Sequence, residues 1–244
     1  MNFEIGLCSI SFRDLPPIEI IKNMKEVGLS YIEWGSDVHA PIEKAKEIAL
    51  LQKQHNIICC SYGTYFVLGD TPLSELEKYI GAAKILGTDI LRLWCGNKNS
   101  EEYTEFEKSQ LFEECKSAAK IAEQHRVILC MECHNNTYTN SKESAFELMK
   151  AINNDCFKMY WQPNQFKSEQ ENYEYARLLS QYVVNIHIFN WEQQKRYPLS
   201  EAKITWQRYL TCFDKKQMLL LEFMPDNKIE SLKAEAKALK EIIQ

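Results

Sequence analysis

Val127–Asn136 reads VILCMECHNN, and the whole chain can be read outward from it. The stretch begins as an unbroken apolar run, which marks a strand. Side chains alternate along an extended backbone, so Ile128, Cys130, Glu132 and His134 share one face. A carboxylate and an imidazole therefore follow an apolar stack, just where the run gives way to Asn135 and Asn136. The helical pattern that follows, near residues 142–152, completes one β/α unit.

Seven further runs have the same character: Glu4–Ser9, Tyr31–Trp34, Ile57–Ser61, Ile90–Trp94, Lys158–Trp161, Val184–Ile188 and Met218–Phe223. With Val127–Glu132 they make eight strands. Amphipathic stretches rich in Glu, Lys and Ala lie between and after them, near residues 17–27, 41–55, 73–86, 104–125, 142–152, 170–181, 201–212 and 228–242. Pro16-Pro17, Pro41 and Thr71-Pro72 open three of these helices, and Gly28 and Gly87 close two. Strand and helix alternate with no Gly-rich phosphate loop after the first strand. This favours the α/β class with a closed (β/α)8 TIM barrel over an open dinucleotide-binding sheet. No Pro- or Ser-rich linker divides the 244 residues, so a single barrel domain is expected over residues 1–244.

Composition narrows the function classes. The chain is 45% apolar and 26% charged, with a net charge of −5. Lys and Arg are scattered, which gives no footprint for nucleic acid or an anionic membrane surface. The longest apolar runs, such as Met218–Leu221, fall far short of the roughly 20 residues needed to cross a bilayer. The opening MNFEIGLCSISF has no basic stretch before its apolar residues and reads as a strand rather than a signal peptide. Nine cysteines, an odd number, fall mostly inside strand-like runs and read as buried structural thiols. A cytoplasmic protein is expected, with a small-molecule partner and room for a homo-oligomer.

In such a barrel the functional groups stand at the C-terminal ends of the strands. VVNIHIFNW puts Asn185, His187 and Phe189 on one face, and MLLLEFM does the same for Met218, Leu220 and Glu222. YWQPNQF places Gln162 directly before Pro163, which stops a regular ladder. Four adjacent strands thus each end in one candidate ligand: Glu132, Gln162, His187 and Glu222. Taken singly, each has an ordinary explanation as a salt-bridged acid, a satisfied core histidine or a capping amide. Together they suit one divalent ion, which would neutralise two glutamates and accept an amide oxygen and an imidazole nitrogen. Mn, Mg, Co and Zn all suit such a set, with Mn slightly preferred.

The segments IEWGSDVHAP, LRLWCG, MECHNN, HIFNW followed by PLSEAKITW, and LLLEF resemble the xylose-isomerase-like barrel superfamily of sugar isomerases and epimerases. That superfamily also holds the apurinic-endonuclease-family-2 barrels. The resemblance implies one metal bound from strands five to eight, at Glu132, Gln162, His187 and Glu222. Gln162 departs from the aspartate most relatives have there, and His187-Ile188-Phe189-Asn190 departs from a His-x-Lys-Asp pattern. With five histidines and no basic surface, the chain fits the multi-metal nuclease branch poorly.

The implied activity is isomerisation or epimerisation of a sugar or sugar-like polyol, by proton transfer through an enediolate at the metal, with Glu132 and Glu222 as acid and base. Glu33, His39, Trp94, His134, Asn135 and Arg196 are the candidate substrate-binding residues, with Trp34 and Trp191 also near strand ends. Arg92 is read as the buried partner of Glu33. The alternatives are a dehydratase acting on a keto-polyol of the inosose type, and a catalytically inactive barrel that binds a metabolite.

Overall fold

The computed structural model describes residues 3–214 and 216–244. Eight parallel strands close a barrel: β1 (Glu4–Cys8), β2 (Tyr31–Gly35), β3 (Ile58–Leu68), β4 (Ile90–Cys95), β5 (Ile128–Glu132), β6 (Phe157–Trp161), β7 (Val183–Ile188) and β8 (Met218–Leu221). Each strand is hydrogen-bonded to its sequence neighbour, and β1 closes the ring against β8 with Glu4 opposite Met218. Eight helices surround it: α1 (Pro17–Glu26), α2 (Ala45–Gln54), α3 (Leu76–Leu86), α4 (Glu105–His125), α5 (Lys142–Ile152), α6 (Glu169–Leu179), α7 (Lys203–Leu210) and α8 (Leu232–Ile242). A two-stranded hairpin, Trp191–Glu192 with Lys195–Arg196, stands in the loop after β7. The expected (β/α)8 architecture is what forms. Among the described residues no helix is long and apolar enough to cross a membrane.

Alternation sorts the side chains into two layers, as a pleated strand requires. Cys130 of β5, Tyr160 of β6 and Leu220 of β8 meet inside the barrel. Their neighbours Leu129, Met131, Met159, Trp161, Leu219 and Leu221 point outward into the core beneath the helices. Cys130 and Cys133 therefore belong to different clusters despite their C-x-x-C spacing, and both thiols are free. Local chemistry fixes the helix ends. Thr104 and Glu107 form a reciprocal capping box at the start of α4, and Gly87 ends α3 in the left-handed conformation with φ of 85°.

Two strands end more than one residue away from the sequence expectation. β3 runs to Leu68 rather than Ser61, pairing Val67 with Trp94 after a register shift beyond Gly63. β8 stops at Leu221. The Glu222 amide still donates to Ile188 O, but Phe223 turns to a φ of 55° and ends the run.

Candidate active site at the barrel mouth

The four strand-end groups meet. Glu132 is the last residue of β5, Gln162 follows β6, His187 lies near the end of β7, and Glu222 follows β8. His187 Nδ1 is 3.0 Å from Gln162 Oε1, 3.4 Å from Glu132 Oε1 and 3.4 Å from Glu222 Oε2. A single ring N–H cannot serve three oxygens, and Glu222 Oε2 is buried with no hydrogen-bond partner. Leaving such a group unsatisfied is costly, and a divalent cation held by Glu132, Gln162, His187 and Glu222 would satisfy all four groups together. The donor set thus fits a metal ion. Cys8 Sγ also comes within 4.8 Å of a ligand atom on each of His187 and Glu222. It is the poorer donor, because burial pushes its pKa far up and the thiol donates to Glu33 Oε1 at 3.3 Å.

The two glutamates differ in state. Burial works against ionisation of Glu132, but the Arg92 guanidinium outweighs it and holds the carboxyl well below the usual range. Arg92 Nη1 and Trp94 Nε1 both donate to Glu132 Oε2, each at 2.5 Å. Burial pushes Glu222 up to about 7, with Glu132 acting in the same direction and His187 against it. Burial opposes charge on His187, yet Glu222 and Glu33 on either side hold its pKa well above the ordinary imidazole value.

Above the cluster lies a cavity of about 370 Å³, of the size that takes a small metabolite. Glu132, Gln162 and Glu222 form its floor, with Trp94, His134, Asn135 and Trp191 on its walls. His134 packs its ring 5.2 Å from that of Trp94, and its Nδ1 meets Asn135 O at 2.6 Å. Asn135 Oδ1 accepts from Asn164 Nδ2 at 2.6 Å.

Three residues expected to bind substrate do not line this cavity. Glu33 is fully buried on the far side of the His187 ring, 3.3 Å from its Nε2, where it accepts from Arg92 Nε at 2.9 Å and from Ser61 Oγ. The expected pairing of Arg92 with Glu33 is present. His39 is buried against Ser9 Oγ at 3.0 Å and Leu15 O at 3.2 Å. Arg196 stacks over Trp191 and Phe223, at 4.5 and 4.4 Å from the ring centres, and donates to Asn227 Oδ1. Trp34 is likewise buried, its indole donating to Gln52 Oε1 at 2.9 Å.

Sequence reasoning missed several wall residues. Arg13, in the loop after β1, donates to Tyr65 OH at 3.0 Å and pairs with Asp37. Tyr65 lies on the part of β3 beyond its expected end, and Asn164, Gln165 and Phe166 lie in the loop after β6. Phe189 was visible on the functional face of strand seven, and nothing in its residue type marked it as a wall.

A closed eight-stranded β/α barrel with its polar groups gathered at the C-terminal mouth defines a barrel of the enzyme type. The chain belongs to the xylose isomerase-like TIM barrel family, whose sequence model matches residues 21–242. It is similar to a 3-dehydroshikimate dehydratase from Bacillus anthracis, with 23% identity over a stretch that spans 64% of this chain and 60% of that relative's length. The crystal structure of a probable 3-DHS dehydratase involved in petrobactin synthesis, also from Bacillus anthracis, superposes with a TM-score of 0.82 at 18% identity, covering 97% of this chain and 98% of the other. A D-allulose 3-epimerase from Methylomonas sp. superposes with a TM-score of 0.75 at 12% identity, covering 99% and 98%. At these identities the structural matches establish the fold.

Proposed function

We propose that the chain is a divalent-metal-dependent dehydratase. It takes a proton from the carbon beside the carbonyl of a sugar-like keto-polyol and expels the β-hydroxyl as water. What carries this reading is the inequality of the two glutamates. Glu132 Oε2 is held from two sides by Arg92 and Trp94, so Glu132 serves as a fixed anionic anchor. Glu222 lines the cavity and its Oε2 has no donor, so its carboxyl is the group left free to move a proton. Epimerisation needs acid–base groups on both faces of the carbon. Elimination lets one group take the proton and pass it to the hydroxyl leaving from the same face. This reading therefore prefers the dehydratase, an alternative in the sequence analysis, to the isomerase or epimerase put first there.

Gln162 and His187 complete the donor set with the two glutamates, and a divalent cation there supplies Lewis-acid polarisation of the carbonyl. His134 and Asn135 present hydrogen-bonding groups to the substrate hydroxyls, and Trp94 and Trp191 cover its apolar face and exclude water. The similarity to a 3-dehydroshikimate dehydratase supports the same reaction type and makes 3-dehydroshikimate the first substrate to offer. A 1,2-isomerase, which also needs only one proton carrier, is the second reading.

The test is incubation of Mn²⁺-supplemented protein in D₂O with 3-dehydroshikimate and a panel of ketoses and inososes, followed by mass spectrometry. The expected product is lighter by one water. A product of unchanged composition carrying carbon-bound deuterium would instead establish isomerisation or epimerisation. If no substrate turned over or exchanged, the enzyme reading would give way to a metabolite-binding barrel.

A further inference from the structure

We infer that Glu33 is a positioning residue: a single buried carboxylate that aims two of the metal-cluster residues at once, His187 directly and Glu132 through Arg92. This rests on the metal reading above and extends it to a residue outside the cavity. Glu33 Oε1 lies 2.9 Å from Arg92 Nε and 3.3 Å from His187 Nε2, and it accepts the Cys8 thiol at 3.3 Å. Arg92 spends its other edge on Glu132, with Nη1 2.5 Å from Oε2. Glu33 and Arg92 are almost fully buried, at 0% and 2% exposure, so neither can exchange its partner for water.

The local backbone is shaped around this pair. The β2–β3 register shifts between Ile32 and Glu33, which brings Glu33 opposite Ser61, whose hydroxyl holds the second carboxylate oxygen. Gly63 lies next to it. A Cβ there would stand 2.7 Å from Glu33 Oε1 and 2.9 Å from Arg92 Nη2, so the ion pair occupies the space that a side chain would take. Nε2 of His187 meets Glu33 at contact distance without an aligned hydrogen bond, while Nδ1 faces the three oxygens of the cluster. A carboxylate behind a ligating imidazole fixes which nitrogen is presented and the direction of the ring.

The experiment titrates Mn²⁺ into the apo form of the full chain by calorimetry and by loss of the free-ion EPR signal, and records the visible spectrum of the Co²⁺ form. Thermal melts check folding. Glu33→Gln should weaken Mn²⁺ binding about 10- to 100-fold and alter the Co²⁺ bands, as loss of an outer-shell partner typically does. Glu33→Asp, which keeps the charge, should restore part of the affinity. A folded Glu33→Gln protein with wild-type affinity and spectrum overturns the proposal. If Glu33→Gln does not fold, Gly63→Ala decides the matter, because it displaces the pair without removing a charge. Weaker Mn²⁺ binding supports the proposal, and unchanged binding overturns it. A wild-type chain that takes up no Mn²⁺ or Co²⁺ is a different failure: it removes the metal reading itself, and the role of Glu33 with it.

Discussion

The two halves of the barrel treat their charged residues differently. From β5 to β8, each strand ends in one polar group that reaches the mouth cluster: Glu132, Gln162, His187 and Glu222. From β1 to β4, Cys8, Ser61 and Arg92 all donate to Glu33, which backs the cluster from behind, and Arg92 also holds Glu132. One half presents its polar groups and the other aims them. The residue types overlap, so what separates ligand from support is which groups are already satisfied. Glu33 has donors on both oxygens, whereas Glu222 keeps one oxygen with none.

The sharpest way to break this contrast is to remove the link between the halves. Arg92→Leu leaves Glu33 and Glu132 buried without the guanidinium they share, and urea unfolding should show a loss of about 3–5 kcal/mol. A loss below about 1 kcal/mol, the scale of an exposed pair, would mean that the supporting half holds nothing in place. Next comes the presenting half. Glu222→Gln should lower turnover by about 10²–10⁴-fold with an unchanged circular dichroism spectrum, the range expected for losing a positioned proton carrier.

pH separates the halves as well. The folded-state pKa of Glu222, raised to about 7 by burial, means that its stabilising neutral form is present below the ordinary 4.5 and lost as pH rises through 7. His187, raised well above 6.5 by Glu222 and Glu33 against the effect of burial, acts in the same direction: its contribution is present below 6.5 and lost at higher pH. The melting temperature of the metal-free protein should therefore fall between pH 6 and 8, by roughly 2–4 °C per kcal/mol lost. Mn²⁺ should raise it more at pH 8 than at pH 6, since binding displaces these protons. A metal-free melting temperature that rises over this interval would contradict the assigned states.

A smaller change should come from Gln162→Asp, which adds a charge to the presenting half and should tighten Mn²⁺ binding about tenfold, or ~1.4 kcal/mol, in a calorimetric titration. Unchanged affinity would remove residue 162 from the donor set. The smallest belongs to neither half. Arg196→Ala gives up its stacking on Trp191 and Phe223 and should cost about 0.5–1 kcal/mol. KM should stay within about twofold, because a stacked surface arginine contributes little beyond that energy. A large rise in KM would return Arg196 to the substrate.

The presenting half was legible in the sequence because two rules act there together. Alternation chooses the face, and the end of the apolar run chooses the level, which suffices for Glu132, His187 and Glu222. Glu33 obeys the same alternation yet lies behind the cluster, because the β2–β3 register shift has no signature in residue type. Arg13 and Tyr65 come from a loop and from a strand extension beyond a glycine, where periodicity carries no signal. Arg196 was expected among the substrate-binding residues from its position after strand seven, but the hairpin turns its guanidinium onto aromatic faces.

The pairing of Glu4 with Met218 that closes the barrel also orders events in time. A chain emerging from the ribosome completes β1 through β7 while the strand that must seal them is still unmade, so the unpaired flanks of β1 and β7 have to wait. Glu222 comes just after that last strand and is the final member of its cluster to be synthesised. Until it arrives, Glu132, Gln162 and His187 lack their fourth partner. Completion of this site is therefore tied to the contact of longest sequence separation in the barrel, the kind that forms slowly and leaves a nascent chain most open to capture by other strands.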